Sequence, residues 1–365
     1  MVDSEATWRG GEGQLLLLMR GLLDEECTVG LAAGPDSEIR RRSRDLPVMF
    51  HPLRIGGGMD LASGWRLRGI LRRGGYDLVH THSSHAHSVA SIAGASMRPR
   101  PRHVVSRRVD FAVAGNAFSA WKYRRGADLY LAISSGVEAA LVDGGVDRSI
   151  IRRVPSGIDL AKFDAVGDGS RLRAEFGIEA GTRVVGNIAA LAPHKSQSDL
   201  LRAAAAVCAR REDVRFFVVG EGGLRRELEA QTAALGLAGR VTFTGFREDA
   251  LEFLRIFDCF VMSSRLEGLG TSIMDAQAAG VPVVATRTGG IPDIVADGRT
   301  GLLVPPGDSA ALAAAVERML DDEALRNECV SAAVTESRGY DYRRMVYKTL
   351  AAYRDLLDGT IPCER

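Results

Sequence analysis

The sequence predicts an α/β fold made of two doubly wound domains in tandem, and three observations predict it. Short apolar runs of strand type alternate with helical patterns along the chain, the signature of βαβ units stacked around parallel sheets. The 365 residues suffice for two domains of ordinary size. Near residues 163–170 glycine and aspartate interrupt the pattern ahead of a new helix, which divides the chain into 1–165 and 166–341.

In the first part, 77–80, 104–106 and 129–133 read as buried strands, with helices over 65–73 and 88–94. In the second, strands are expected at 184–186, 214–219, 241–243, 259–262 and 281–285, separated by helices such as 199–211 and 224–235. A last helix over about 342–357 sets Val346, Leu350, Tyr353 and Leu357 on one face. One element is missing from the pattern. A doubly wound domain needs a central first strand, yet only Met1-Val2-Asp3 precede the polar stretch leading to Gly10-Gly11. The expectation is a first strand cut short, with sheet edges left exposed.

Composition narrows the class. Hydrophobic residues make up 46% and charged residues 25%, as in globular proteins. No apolar run reaches the roughly 18–20 residues of a membrane span, and the first residues carry neither a basic start nor an apolar core, so no secretory signal is expected. Cys27, Cys208, Cys259, Cys329 and Cys363 are scattered and never spaced C-x-x-C; they read as reduced thiols of a cytoplasmic protein. Net charge is +5 over residues 1–165 and −4 over the rest. The positive half carries arginine clusters around 40–44, 66–73, 98–108 and 122–125, which suit an anionic partner or simply a solvated surface. These clusters lack interleaved stacking aromatics, which argues against nucleic acid.

The most informative stretch is Glu267-Gly268-Leu269-Gly270-Thr271-Ser272-Ile273-Met274-Asp275, which follows a strand and opens a helix. Small residues at a helix start leave backbone N–H groups free to face an anion, and a diphosphate is the natural occupant. Seven residues separate the two acids. Glu267 falls ahead of the helix, and Asp275 falls a turn inside it, where a carboxylate accepts hydrogen bonds from a vicinal diol.

With Gly289-Gly290-Ile291-Pro292 and Asp297-Gly298-Arg299-Thr300-Gly301 following, the chain resembles the retaining glycosyltransferases of family 4. The resemblance extends to Gly10-Gly11-Glu12, His80-Thr81-His82, Val154-Pro155-Ser156-Gly157-Ile158-Asp159, Val218-Val219-Gly220-Glu221-Gly222 and Phe243-Thr244-Gly245-Phe246. It implies two Rossmann-like domains of the GT-B type, with the C-terminal helix (about 342–365) crossing back to the first. It implies a nucleotide-sugar donor held by the second domain, no metal and no other cofactor. Glu267 would lie at the sugar and Asp275 at the ribose. Lys195 would neutralise the diphosphate leaving group. Gly268, Leu269, Gly270, Thr271, Ser272 and Gly11 would cradle phosphate, while Phe246 and Arg247 would run along the base through main-chain contacts. His82 would touch the transferred sugar.

Two positions depart from the family pattern. The second acid is Asp275 rather than Glu, one methylene shorter. Asn187, at the donor, stands where an arginine is common, and it cannot offer a charged fork to phosphate. The acceptor, a glycan or a lipid-linked hydroxyl compound, would meet His85, Arg107 and Arg108 in the first domain. The basic helix around Trp65 would rest against anionic lipid at the inner membrane face, in cell-envelope glycan or lipopolysaccharide assembly. A GT-B epimerase or hydrolase, or a non-catalytic sugar-nucleotide-binding protein, are the alternative readings.

Overall fold

In the computed structural model, residues 1–111, 113, 117–164 and 166–360 are described; Cys363 and the end of the expected 342–365 segment lie outside them. The chain forms two compact units. One comprises Met1–Gly157 and the segment from Tyr342, and the other Ile158–Asp341.

In the first unit the strands are β1 (Gly30–Ala33), β2 (Met49–Pro52), β3 (Leu78–Thr81), β4 (Arg102–Arg107), β5 (Leu129–Ala132) and β6 (Ile151–Arg153). Its helices are α1 (Gly10–Asp24), α2 (Glu38–Arg42), α3 (Leu61–Gly74), α4 (Ser84–Ala95), α5 (Ala117–Arg125) and α6 (Ser135–Asp143). β1 pairs with β2, and β3 to β6 pair in order, all in parallel. Val2 joins the two sheets, pairing in parallel with Ala32 on one side and Thr81 on the other. The expectation of unpaired edges is thereby corrected: residues 1–3 occupy the central slot, with Val2 N–H donating to His80 O and His82 N–H to Val2 O. The two flanking strands are themselves only four residues long.

The second unit contains β7 (Arg183–Ile188), β8 (Val214–Val219), β9 (Val241–Gly245), β10 (Cys259–Met262), β11 (Val283–Thr286) and β12 (Leu302–Val304). Its helices are α7 (Ser170–Glu175), α8 (Gln197–Cys208), α9 (Arg225–Ala234), α10 (Thr271–Ala278), α11 (Ser309–Asp321) and α12 (Glu323–Ser337). The sheet runs β12-β11-β10-β7-β8-β9, wholly parallel. Apart from the edge strand β9, its strands are largely buried on both faces, which is why they read as continuous apolar runs. The first strand of the unit, β7, lies mid-sheet beside the fourth, β10. The order therefore reverses between them, and the loops leaving their carboxyl ends frame a crevice.

The closing helix α13 (Tyr342–Leu357) belongs to the first unit, where Met345, Val346, Leu350, Tyr353 and Leu356 join the core of α1. Leu357, expected on the buried face, is instead exposed. The boundary falls at 157/158 rather than near 165. Within the first unit a Cβ on Gly157 would come within 2.4 Å of the Tyr342 backbone, and in the second Ile158 bridges Asp341. Within each unit the two passages of the chain thus run side by side.

Candidate active site

In the second unit the site is built by the loops after β7 and β10. Lys195 ends the loop from β7, held by a short 3-10 turn (Pro193–Lys195) and followed by Ser196 in the left-handed region, φ 48°. That conformation is uncommon for a residue with a Cβ. Here Ser196 is anchored by its Oγ on Asp199, 2.6 Å, and Asp199 also binds Arg202 and Arg265. Arg265 N–H donates to His194 O, and Ser263 Oγ to Lys195 O, so the two loops are stitched together.

The stitching brings Lys195 Nζ to 2.5 Å from Glu267 Oε2, which also accepts from Ser264 Oγ at 3.0 Å. Both side chains are largely buried. Immediately beyond Glu267, Gly270 adopts φ 93° and opens α10 with no side-chain cap. A Cβ there would sit 3.0 Å from Ile273 in a conformation that favours glycine. The eight-residue helix thus starts uncapped shortly after the buried Glu267, which is paired to Lys195, an arrangement suited to anionic oxygen.

One turn on, Asp275 Oδ1 pairs with Lys162 Nζ at 2.6 Å. Burial pushes the Asp275 carboxyl up, against the pull of that ammonium. The sequence offered no sign of Lys162, because its partner is 113 positions away.

Among the expected donor residues Asn187 needs correction, and Arg247 can offer only the main-chain contact expected of it. Asn187 is 1% exposed, and its Nδ2 donates to Val261 O at 2.8 Å. It tethers β7 to β10 at the crevice from inside rather than presenting a side chain to a ligand. The Arg247 guanidinium is committed to Glu175 and Asp249 and lies over the Phe176 and Phe253 rings, leaving only its main chain for a base. Phe246 stands exposed beside it.

In the first unit the corresponding switch point lies between Asp3 and His82. Gly11, expected at the phosphate, starts α1 beside Arg108. Its neighbour Glu12 accepts the Arg9 N–H at 2.7 Å, so this helix start already carries an acid cap. Arg108 acts electrostatically on Glu12 and Asp3, and burial pushes its own pKa down to about 10. His82 packs on the His80 ring, centroids 4.1 Å apart, with Nδ1 3.5 Å from Arg108. Burial, His80 and Arg108 push its pKa well below the usual range and keep it neutral. His80 is structural, bonded to Tyr353 and Ser106. His85 is exposed on the first turn of α4. Arg107, expected at the acceptor, does not face solvent. It is 6% exposed and donates to Val109 O, Tyr123 Oη and Phe111 O.

Among the described residues no helix is long and apolar enough to cross a membrane. The profile "Glycosyltransferase Family 4" matches residues 8–162, and "Glycosyl transferases group 1" matches 168–335. The chain is 32% identical to a 2-deoxystreptamine glucosyltransferase of Streptomyces kanamyceticus over 57% of its own length, and it spans 55% of that enzyme. It is 31% identical to a D-inositol 3-phosphate glycosyltransferase of Corynebacterium jeikeium, over 84% of this chain and 72% of the relative. Another such enzyme, from Acidothermus cellulolyticus, is 32% identical over 78% of this chain and 63% of its own length. Among solved structures, Anabaena Alr3699/HepE in complex with UDP and glucose matches with a TM-score of 0.85 at 23% identity, over 97% of this chain and 98% of that one. That likeness establishes the fold as GT-B, two Rossmann-like domains with parallel sheets, and together with the profiles and the relatives it places the chain in glycosyltransferase family 4.

Proposed function

We propose that the chain transfers a sugar from a nucleotide-sugar donor to a hydroxyl acceptor with retention of anomeric configuration. One observation carries the reading: the Lys195–Glu267 pair at the uncapped start of α10, in the switch-point crevice of the second unit. On binding, the diphosphate draws the Lys195 ammonium from Glu267, and the α10 amides of 269–272 complete its cradle. Glu267, released, turns to the sugar hydroxyls, while Asp275 takes the ribose diol. As the bond from the anomeric carbon to phosphate oxygen breaks, lysine and helix start neutralise the charge building on the leaving group, where a metal would otherwise do so. The acceptor oxygen bonds to the same face, and its proton passes to the departing phosphate oxygen, so no separate side-chain base is needed.

The UDP held by the Anabaena structure makes UDP-sugars the first donors to try. Lipopolysaccharide core assembly is suggested by a Rhizobium meliloti relative, 33% identical over 56% of this chain. A cytoplasmic protein resting on the inner membrane face fits Met59, Leu61 and Trp65, all exposed near Arg66, Arg72 and Arg73. Thermal shift with UDP-, GDP- and ADP-sugars tests the donor, since a ligand of the native state raises stability. A donor that stabilises the chain and is turned over with an acceptor supports transfer. Stabilisation without turnover across a broad acceptor panel would favour a binding protein, and release of free sugar a hydrolase.

A further inference from the structure

His82 is nine-tenths buried at the switch point of the first unit, and its two ring nitrogens meet unlike neighbours. Nδ1 lies 3.5 Å from Nη2 of Arg108, and Nε2 lies 3.4 Å from the sulfur of Met1. In a neutral imidazole one nitrogen donates and the other accepts, and the partners decide which. A guanidinium offers donors only. Burial pushes the Arg108 pKa down to about 10, against the pull of Glu12 and Asp3, so it is still a cation at neutral pH. The Arg108 N–H therefore donates to Nδ1, and Nδ1 carries no proton of its own. A doubly protonated ring does not fit here, since it would set N–H against N–H with two cations in contact. Burial, which holds this imidazole neutral, acts in the same direction.

The ring proton is left on Nε2, where the partner is a thioether, a weak acceptor. An N–H held against sulfur is poorly satisfied, and a ligand oxygen in place of the sulfur would satisfy it better. The plane of the ring is set by its neighbour. His82 lies on His80, centroids 4.1 Å apart. His80 is itself engaged at both nitrogens, with Tyr353 Oη at 2.5 Å and Ser106 Oγ at 2.9 Å. It thus offers His82 a packing surface and no hydrogen bond.

We propose that Arg108 is a positioning residue that fixes His82 as the Nε2–H tautomer, so that His82 donates a hydrogen bond to a substrate oxygen and has no free nitrogen with which to take a proton. The group it fits is an oxygen presenting a lone pair, such as that of a hydroxyl. His82 then orients this oxygen without deprotonating it, in keeping with a transfer that needs no side-chain base. That the oxygen belongs to a sugar rests on the transferase reading; the tautomer does not.

The test is a long-range proton–nitrogen correlation spectrum of the full chain, labelled with nitrogen-15 at histidine, at neutral pH and without ligand. The two neutral tautomers and the charged ring give distinct patterns in such spectra. The chain has seven histidines, and His82→Gln identifies the His82 signals by their loss. In the wild type His82 should show the Nε2–H pattern alone. Arg108→Met removes the donor to Nδ1 and should bring in the Nδ1–H tautomer as well. Arg108→Lys, which also can only donate, should restore the wild-type pattern; a purely structural role for Arg108 would not produce that division. Should Arg108→Met fail to fold, Arg108→Ala is read in its place. An Nδ1–H or charged ring in the wild type overturns the proposal, and so does an unchanged pattern once the donor at 108 is removed. No donor or acceptor is present, so these spectra are read in the same way whether or not the chain turns over any nucleotide-sugar.

Discussion

The two units share one strand order but load their switch points with opposite chemistry. In the second unit the crevice is lined by lysine–acid pairs, Lys195 with Glu267 and Lys162 with Asp275. In the first it is lined by neutral histidines and by Arg108, which faces the buried acids Asp3 and Glu12. An acid paired to lysine can exchange its partner for a ligand with little reorganisation. A buried neutral imidazole supplies shape and hydrogen bonds at the expense of acid stability. The same βαβ frame therefore gives one unit exchangeable ion pairs at its crevice and the other an enclosed site of neutral rings.

The largest expected effect concerns the pair at α10. Lys195→Ala or Glu267→Ala should lower turnover by about 100-fold or more, the scale of losing one preorganised charge at a transition state. Near-normal turnover of Lys195→Ala with any accepted donor would remove that assignment. Asp275→Ala should act on donor affinity instead, raising the donor KM about tenfold with little change in kcat, the worth of one charged hydrogen bond. An unchanged KM would take Asp275 away from the ribose.

Acid should separate the units. Four of the seven histidines, His80, His82, His87 and His103, are buried in the first unit with pKa values pushed below the usual range. Between their folded and unfolded values the unfolded chain binds more protons, so stability falls as pH drops below 6.5, towards about 4 for His103. Each of the four adds to that slope until the folded chain takes up its proton. Asp3, pushed up by burial to about 7, and Glu12 work the other way and offset part of the loss. In the second unit Asp199 and Asp249 are held low, Asp249 at about 2, so their stabilisation is lost only as pH falls below 3.8. Trp8, Trp65 and Trp121 all lie in the first unit. Tryptophan emission should therefore change between pH 6.5 and 4 while the second unit still binds nucleotide; a single joint transition below pH 4 would contradict the contrast.

Smaller effects follow from the backbone and from the committed arginine. Gly270→Ala should cost about 1 kcal/mol and lower Tm by a few degrees, because its φ of 93° disfavours a side chain. Arg247→Ala should lower stability through lost packing and ion pairs while leaving donor affinity unchanged, which nucleotide titration would check.

Much of this frame is legible in the sequence because buried parallel strands have no polar face to disguise them. Val214–Val219, Cys259–Met262 and Tyr342–Leu357 occur at their expected limits. The strands that escaped, β1, β2, β6 and β12, are three or four residues long. β2 in addition has no buried residue, so no alternation marks it. At the site, Glu267, Gly270 and Asp275 announce themselves by local spacing around a helix start. Lys162 does not, since only the fold brings it to Asp275. The burial of Arg107 and Lys122 was likewise invisible, because a run of basic residues reads by default as solvated.

The central claim is that the start of α10 holds a donor diphosphate opposite Lys195. A crystal structure with UDP bound tests it most directly. The account predicts phosphate oxygens within hydrogen-bonding distance of amides in 269–272 and of Lys195 Nζ, with the lysine drawn away from Glu267. A nucleotide bound elsewhere, with the Lys195–Glu267 pair intact, would contradict it.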